Sequence, residues 1–201
     1  MVYEQKNYNS LMGLNGLSET LLKNHLALYE GYVINTNKLL EALNNLLKEN
    51  ITGIEFSELR RRFGWEFNGM RLHEYYFDNL TKETKELDKQ SNLFKKLTED
   101  FESYEAWEKE FKTIGLMRGI GWVILCLDVK SNRLINIWVN EHDGGVLAGV
   151  IPLIVMDVFE HAYMLDYGIK KTDYIDSFFK LIDWEIINNR FCKEVSKNGK
   201  K

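Results

Sequence analysis

The 201-residue sequence contains little of several residue types that mark particular classes of protein. It has one proline, two cysteines and four histidines. The cysteines, Cys126 and Cys192, show no recognisable metal-binding or redox spacing. Cys126 lies in an apolar stretch typical of a strand, where a reduced, buried thiol is the commoner state. Neither a disulfide framework nor a thiolate metal site is therefore predicted.

The sequence also lacks an apolar run long enough to span a membrane. The longest run, from residue 146 to residue 158, is interrupted by Gly149, Pro152 and Asp157, so we predict a buried strand there. The polar N-terminus has no apolar core of signal-peptide length. Together with the reduced thiols, these features predict a cytoplasmic protein with no membrane partner.

A concentrated excess of positive charge is missing as well. The formal net charge is -4, whereas binding to nucleic acid needs clustered Lys and Arg. One stretch, residues 54–76, has a rhythm like that of a helix-turn-helix module and includes Arg60, Arg61 and Arg62. A solvated helix face is the favoured interpretation of these arginines, and we predict no nucleic-acid partner.

The spacing of apolar residues predicts an α+β chain. In the first half, apolar residues recur every three or four positions, which predicts helices at 17–47 (with a bend at Asn35 and Asn37), 57–62, 67–79, 82–101 and 103–113. The second half is predicted to contain strands at 122–129, 134–139 and 147–156 and helices at 158–167 and 172–189. We therefore predict a helical N-terminal domain with a long helical hairpin, residues 1–116. A C-terminal domain, residues 117–201, is predicted to hold a three-stranded antiparallel sheet flanked by helices.

The four histidines are His25, His73, His142 and His161, each in a different predicted element. A fifth polar residue, Asp157, ends a very apolar strand four residues before His161. An unpaired buried carboxylate costs several kcal/mol, so a cation beside it is a natural explanation. Three imidazoles and one carboxylate suit iron or manganese better than structural zinc. From spacing alone two readings stay open: a metal site between the halves, or core histidines with satisfied hydrogen bonds.

Residues 157–163, Asp-Val-Phe-Glu-His-Ala-Tyr, resemble the signature of the iron/manganese superoxide dismutases, which usually is Asp-x-Trp-Glu-His-Ala-Tyr. Other segments are similar to the same family in the expected order and cover nearly the whole chain. They are Tyr32-Val33 with Asn35 and Asn37, His73 with Phe77 and Asn79, Gly119-Ile120-Gly121-Trp122, Ile151-Pro152-Leu153, Asp183-Trp184 and Arg190-Phe191.

The resemblance implies an enzyme that converts superoxide to dioxygen and hydrogen peroxide with one iron or manganese ion per chain. The implied metal ligands are His25, His73, Asp157 and His161. The family implies three further roles. Tyr32 would line the substrate channel, His142 would be a hydrogen-bond donor inside the site, and Trp122 would form part of the hydrophobic wall around the metal.

Two more residues gain a role from the resemblance. Glu160 is implied to reach across a dimer interface to a metal-ligand histidine of the partner, so a homodimer or homotetramer is expected. Lys171 stands where the family often has an Arg near the mouth of the channel. A family-like metal-binding protein without dismutase activity is the alternative.

The sequence departs from the family pattern at several positions. Phe159 replaces the Trp of the signature. Tyr29 is close to the position of a first-helix His that usually meets Tyr163 across the dimer, so that contact is not expected here. His25 and Tyr32 are seven residues apart, one fewer than in many members, but seven residues still return to the same helix face.

The expected hydrogen-bond donor leaves the choice of metal open. Iron-type members commonly have a Gln four residues before the second ligand, where this chain has Gly69. Manganese-type members have a Gln in the loop after the second strand, where this chain has His142.

Overall fold

The computed structural model describes residues 2–198. Its α-helices are α1 (Glu19–Lys48), α2 (Ile54–Asp78), α3 (Asn92–Phe101), α4 (Tyr104–Gly115), α5 (Met164–Tyr167), α6 (Lys171–Leu181) and α7 (Trp184–Asn198). Its strands are β1 (Gly121–Asp128), β2 (Arg133–Asn140) and β3 (Val150–Asp157). The order confirms the predicted α+β class, with a helical first half and a sheet in the second half.

The first helix, α1, is a single continuous helix of 30 residues. Ser18 caps the start of α1, because its hydroxyl accepts a hydrogen bond from the Leu21 amide at 3.1 Å. The helix is not interrupted at Asn35 and Asn37, where a bend was predicted. The Asn37 side chain instead anchors the N-terminal segment, because it accepts from the Tyr3 amide and donates to the Tyr3 carbonyl, each at 2.9 Å.

The second helix, α2, is longer than predicted. The two short helices expected at residues 57–62 and 67–79 are one helix that runs through Gly64. Ion pairs one turn apart, Arg61–Glu58 and Arg62–Glu66, support the joined helix. Because residues 54–76 contain no turn, the helix-turn-helix interpretation of this stretch is wrong.

The charged segment that follows α2 is mostly irregular. A helix was predicted for residues 82–101, but α3 begins only at Asn92. Ser91 caps it by accepting a hydrogen bond from the Phe94 amide at 3.1 Å. Just before this cap, Asp88 accepts from the Gln90 amide at 2.8 Å, a local bond that favours a turn over a helix.

The three strands form one antiparallel sheet in the order β2-β1-β3. The predicted hairpin of the first two strands is confirmed. The third strand begins at Val150 instead of residue 147, directly after Gly149 with φ +81°. The register slips by one residue between Leu125 and Cys126, where β1 faces Pro152. Proline lacks an amide hydrogen, and β3 is an edge strand, where such an irregularity is tolerated.

The C-terminal helices are divided differently from the prediction. The helix expected at residues 158–167 is a 3-10 turn, Glu160–Ala162, followed by the short α5. The helix expected at 172–189 is split into α6 and α7 by Ile182 and Asp183. Ile182 is extended and pairs with Leu80, while the Asp183 amide donates to the Asn79 carbonyl at 2.7 Å. These bonds to the end of α2 interrupt the helix.

One apolar core includes residues of both halves of the chain. It contains side chains from α1 and α2, such as Leu22 and Phe77, together with β1 and β3. The proposed division at residues 116 and 117 therefore crosses a shared core, and its position remains a prediction. Within residues 2–198, we find no helix that is both long and apolar enough to cross a membrane.

The start of β1 depends on a glycine. Gly121 has φ +150°, and a Cβ there would lie 2.0 Å from the Val139 carbonyl oxygen. We expect Gly121→Ala to lower the free energy of unfolding by on the order of 3 kcal/mol, since the backbone must move. The matched control is Gly31→Ala, in α1 with open space around it, which should raise stability by about 1 kcal/mol. Chemical denaturation measures both; equal effects of the two substitutions would contradict the expectation.

Candidate metal centre

Four polar side chains from four elements converge on one point. His25 lies on α1, His73 on α2, Asp157 at the end of β3 and His161 in the 3-10 turn, and their ligand atoms lie within 4.8 Å of one another. The Nε2 atoms of His25, His161 and His73 are 3.0, 3.1 and 3.7 Å from Asp157 Oδ2. The side chains of His25, His73 and Asp157 are fully buried, whereas that of His161 is 25% exposed. The residues predicted as ligands therefore form one cluster between the two halves.

Asp157 is oriented from two sides. Its Oδ1 accepts a hydrogen bond from the Phe159 amide at 2.8 Å, and its backbone carbonyl accepts one from the Tyr174 hydroxyl at 2.7 Å. The other carboxylate oxygen, Oδ2, faces the histidines. The end of β3 thus presents a single oxygen to the centre of the cluster.

His73 has a nitrogen that only a further ligand could satisfy. Its Nδ1 lies 2.6 Å from the Gly69 carbonyl, which can only accept, so Nδ1 carries the proton. The lone pair is then on Nε2, which is buried and has no hydrogen-bond partner among the described residues. Because unsatisfied buried polar atoms are costly, this nitrogen fits a role as a metal ligand.

The electrostatics of the cluster also fit a cation. Burial lowers the pKa of His25 and of His73, which keeps both imidazoles neutral. Burial alone would raise the pKa of Asp157, but the charge and hydrogen bond of His161 and the bond to His25 outweigh it and lower that pKa far below its usual range. An ionised carboxylate among imidazole nitrogens, with no thiolate, suits iron or manganese.

A second group of side chains surrounds the cluster. Tyr32 stacks on His73 with ring centroids 5.3 Å apart, and its hydroxyl lies 2.7 Å from His142 Nε2. The Trp122 indole donates to His142 Nδ1 at 3.1 Å. Phe159 stacks between His142 and His161, at 4.8 and 5.2 Å. The structure therefore brings Tyr32, Trp122 and His142 to the site, as the sequence predicted.

The other two predicted site residues lie outside this cluster. Glu160 is exposed on the surface beside His161. Lys171, at the start of α6, is partly buried; its ammonium donates to the Met117 carbonyl at 3.2 Å and lies 5.8 Å from the centre of the Trp138 ring. Burial lowers the pKa of this lysine.

Comparison with known proteins gives the same picture along the whole chain. The profile described as "Iron/manganese superoxide dismutases, C-terminal domain" matches residues 89–190. An iron superoxide dismutase of Aquifex pyrophilus is 38% identical over 198 residues, which cover 96% of this chain and 92% of that protein. The chain belongs to the iron/manganese superoxide dismutase family.

Iron and manganese enzymes both occur among its relatives, at similar sequence identity. An iron superoxide dismutase of Cupriavidus metallidurans is 35% identical over 199 residues, covering 97% of this chain and 99% of that protein. A manganese superoxide dismutase of Haloferax volcanii is 35% identical over 173 residues, 84% of each chain. Sequence similarity within the family therefore does not select between iron and manganese.

Packing explains one departure of this family member from the iron-type pattern. A Cβ at Gly69 would lie 2.5 Å from Cδ1 of Tyr32. The Tyr32 ring therefore occupies the space above Gly69 that a larger side chain would need. The sequence marks the position of Gly69, but only the structure shows what fills the space.

Tyr29 is engaged within its own chain. It is fully buried, its hydroxyl donates to Glu74 Oε1 at 3.1 Å, and it accepts from the Lys6 amide at 3.0 Å. The hydroxyl thus makes two hydrogen bonds inside its own chain, and the expectation that Tyr29 does not meet Tyr163 across a dimer stays a prediction. Glu74 was not singled out by the sequence analysis, and nothing in its spacing indicates this contact.

The burial of His142 gives a pH-dependent contribution to stability. Burial lowers the pKa of His142 to about 4, whereas an unfolded histidine titrates near about 6.5. Between these values the unfolded chain binds a proton that the folded chain does not. Stability from this residue is therefore complete above pH ~6.5 and is lost as the pH falls towards 4, by up to about 3 kcal/mol.

We expect the unmodified protein to lose more stability than His142→Gln when the pH is lowered from 7 to 4. Gln does not titrate, while His25 and His73 remain in both proteins and their effect cancels. Urea denaturation at several pH values measures the difference. Parallel pH profiles for the two proteins would contradict the prediction.

Proposed function

We propose that this chain is a superoxide dismutase that converts superoxide to dioxygen and hydrogen peroxide. The proposed metal ligands are His25, His73, Asp157 and His161, holding one iron or manganese ion. One observation carries the proposal: in a chain of this family, the ligand atoms of these four residues lie within 4.8 Å of one another in a buried site. The metal would supply the one-electron redox chemistry of dismutation.

The chain's own residues orient the proposed ligands. The Gly69 carbonyl fixes the tautomer of His73, and the Phe159 amide and the Tyr174 hydroxyl hold Asp157. Such outer contacts set ligand geometry and basicity. The rings of Trp122 and Phe159 meet edge to face, with centroids 6.1 Å apart, and form an apolar wall on one side of the cluster.

Dismutation consumes two protons for each pair of superoxide ions, so proton donors near the site matter. Burial and the charge of Glu66 raise the pKa of Tyr32 to about 12. At neutral pH its hydroxyl therefore keeps its proton and can donate a hydrogen bond to a small anion. We assign Tyr32 to hold a proton at its hydroxyl oxygen for the reaction, and His142 to hydrogen-bond that oxygen through Nε2.

The assembly is proposed to be a homodimer or a homotetramer. Glu160 is exposed in the single chain, although it directly precedes a proposed ligand, and Leu165 and Ile169 nearby are 58% and 91% exposed. An interface here would bury these apolar side chains and let Glu160 reach a metal-ligand histidine of the partner. Sedimentation velocity decides the number of copies.

The proposed location is the cytoplasm. The support is that Cys126 and Cys192 are both unpaired thiols and that burial raises the pKa of Cys126 to about 12, which keeps that thiol unreactive. Cell fractionation with an antibody against this chain tests the location; recovery of the protein outside the cytoplasmic fraction would refute it.

The decisive test is metal content and turnover measured on one sample. We expect near-stoichiometric iron or manganese by elemental analysis and fast dismutation by the unmodified protein. His161→Ala should lower metal affinity by at least about 100-fold and abolish activity, since losing even an outer contact of a ligand costs about 10- to 100-fold. Lys170→Ala, an exposed substitution nearby, is the control.

The outcomes separate the candidate functions. If His161→Ala keeps both its metal and its activity, the proposed ligand set is wrong. Bound metal without turnover in the unmodified protein would identify a metal-binding family member with another role, with Phe159 and Tyr29 as the first residues to restore to the family pattern.

Lys171 is proposed to attract the superoxide anion. We expect Lys171→Met to lower kcat/KM by about tenfold at low ionic strength and to weaken its salt dependence, because a local positive charge raises the encounter rate. Lys171→Arg should keep both properties. Lys170→Met removes an equal charge one residue away and serves as the control; an equal loss in both Met variants would argue against a specific role of Lys171.

A further inference from the structure

His142 lies in a turn whose backbone is held by several bonds. The residues before and after it close a small antiparallel bridge, in which the Asn140 amide donates to the Gly144 carbonyl at 2.6 Å and the Gly144 amide donates back at 3.1 Å. Glu141 has φ +52°, a backbone conformation that non-glycine residues seldom adopt. Holding Glu141 in this backbone conformation costs free energy. The closed turn sets the direction from which the His142 side chain enters the site.

Asn68 attaches this turn to α2. Its side-chain nitrogen lies 2.9 Å from the His142 carbonyl oxygen. A carbonyl can only accept, so the contacting atom of Asn68 is the amide nitrogen. The neighbouring residue, Gly69, orients His73 through its own carbonyl. Two adjacent residues of α2 thus position a proposed ligand and the proposed donor together.

The ring of His142 is fixed in one tautomer by Trp122. An indole nitrogen is a donor only, and it contacts His142 Nδ1 at 3.1 Å, so Nδ1 accepts and carries no proton. The single ring proton is then on Nε2, which lies 2.7 Å from the Tyr32 hydroxyl oxygen. His142 donates this bond, and the hydroxyl hydrogen of Tyr32 is left to point elsewhere.

We propose that Asn68 and Trp122 are positioning residues that hold His142 in the tautomer with its one ring proton on Nε2. His142 donates this proton in a hydrogen bond to Tyr32, so the Tyr32 hydroxyl is the group that donates into the metal pocket. A glutamine amide has two N–H groups and could serve Tyr32 and the pocket at once, whereas this histidine serves only Tyr32. The order of donation is Trp122 to His142 to Tyr32. The inference deepens the proposed function and rests on it.

Neutron diffraction from crystals of the metal-loaded protein in deuterated solvent tests the order directly. We expect deuterium on His142 Nε2 and on the Trp122 indole nitrogen, none on His142 Nδ1, and the Tyr32 deuterium directed away from His142. Deuterium on Nδ1 would overturn the inference. The hydrogen positions do not depend on turnover, so an inactive protein would refute the proposed function without deciding this point.

Two substitutions test Asn68. Asn68→Ala removes the donor, and Asn68→Asp keeps the shape but presents only acceptors to the His142 carbonyl. We expect dismutation to fall by about fivefold in Asn68→Ala, the factor for one neutral hydrogen bond, and further in Asn68→Asp. Metal content should stay constant, while the visible absorption band of the oxidised metal shifts and the His142 ring is displaced in crystal structures.

The control is Asn44→Ala, which makes the same change at an exposed position of α1. It should leave the spectrum and the rate as they are. A positioning role for Asn68 is refuted if Asn68→Ala and Asn68→Asp both keep the rate, the absorption band and the position of His142. An equal shift in Asn44→Ala would refute it as well, since the effect would then be general.

Discussion

The site depends on one buried carboxylate. Asp157 is fully buried at the end of β3, and its free oxygen faces the Nε2 atoms of three histidines at 3.0 to 3.7 Å. Burying such a charge without compensation would cost several kcal/mol. The histidines reach it from α1, α2 and the turn after β3, so satisfying this one charge requires the helical half and the sheet to be in contact.

The surroundings of the cluster show how a rigid scaffold serves this requirement. Two of these side chains are held from behind by hydrogen bonds: His73 by the Gly69 carbonyl, and His142 by the Trp122 indole at its ring and by Asn68 at its backbone carbonyl. These contacts lie on α2 and β1, which share the apolar core. The geometry is therefore set before any ligand arrives, which is what an efficient electron-transfer site needs.

The family pattern and its departures have different physical consequences here. Phe159 in place of Trp still fills the space between His142 and His161 by stacking on both. Gly69 leaves room for the Tyr32 ring, and His142 lies within hydrogen-bond distance of the Tyr32 hydroxyl. Positions 69, 142 and 159 therefore differ from the family pattern, yet their side chains pack together. The Tyr32 ring fills the space that a larger side chain at position 69 would take.

The sequence by itself determined the α+β class, the hairpin of the first two strands and the members of the metal cluster, because apolar periodicity and a short family signature are local properties. It missed the break between α6 and α7, where the Asp183 amide bonds to the Asn79 carbonyl, and it placed the start of α3 too early, before the Ser91 cap that bonds to the Phe94 amide. Only the tertiary structure decided that Asn68 holds His142 and that Gly69 makes room for Tyr32. These contacts join residues that are far apart in the chain. A local sequence pattern cannot predict which distant residue will fill a space or accept a hydrogen bond.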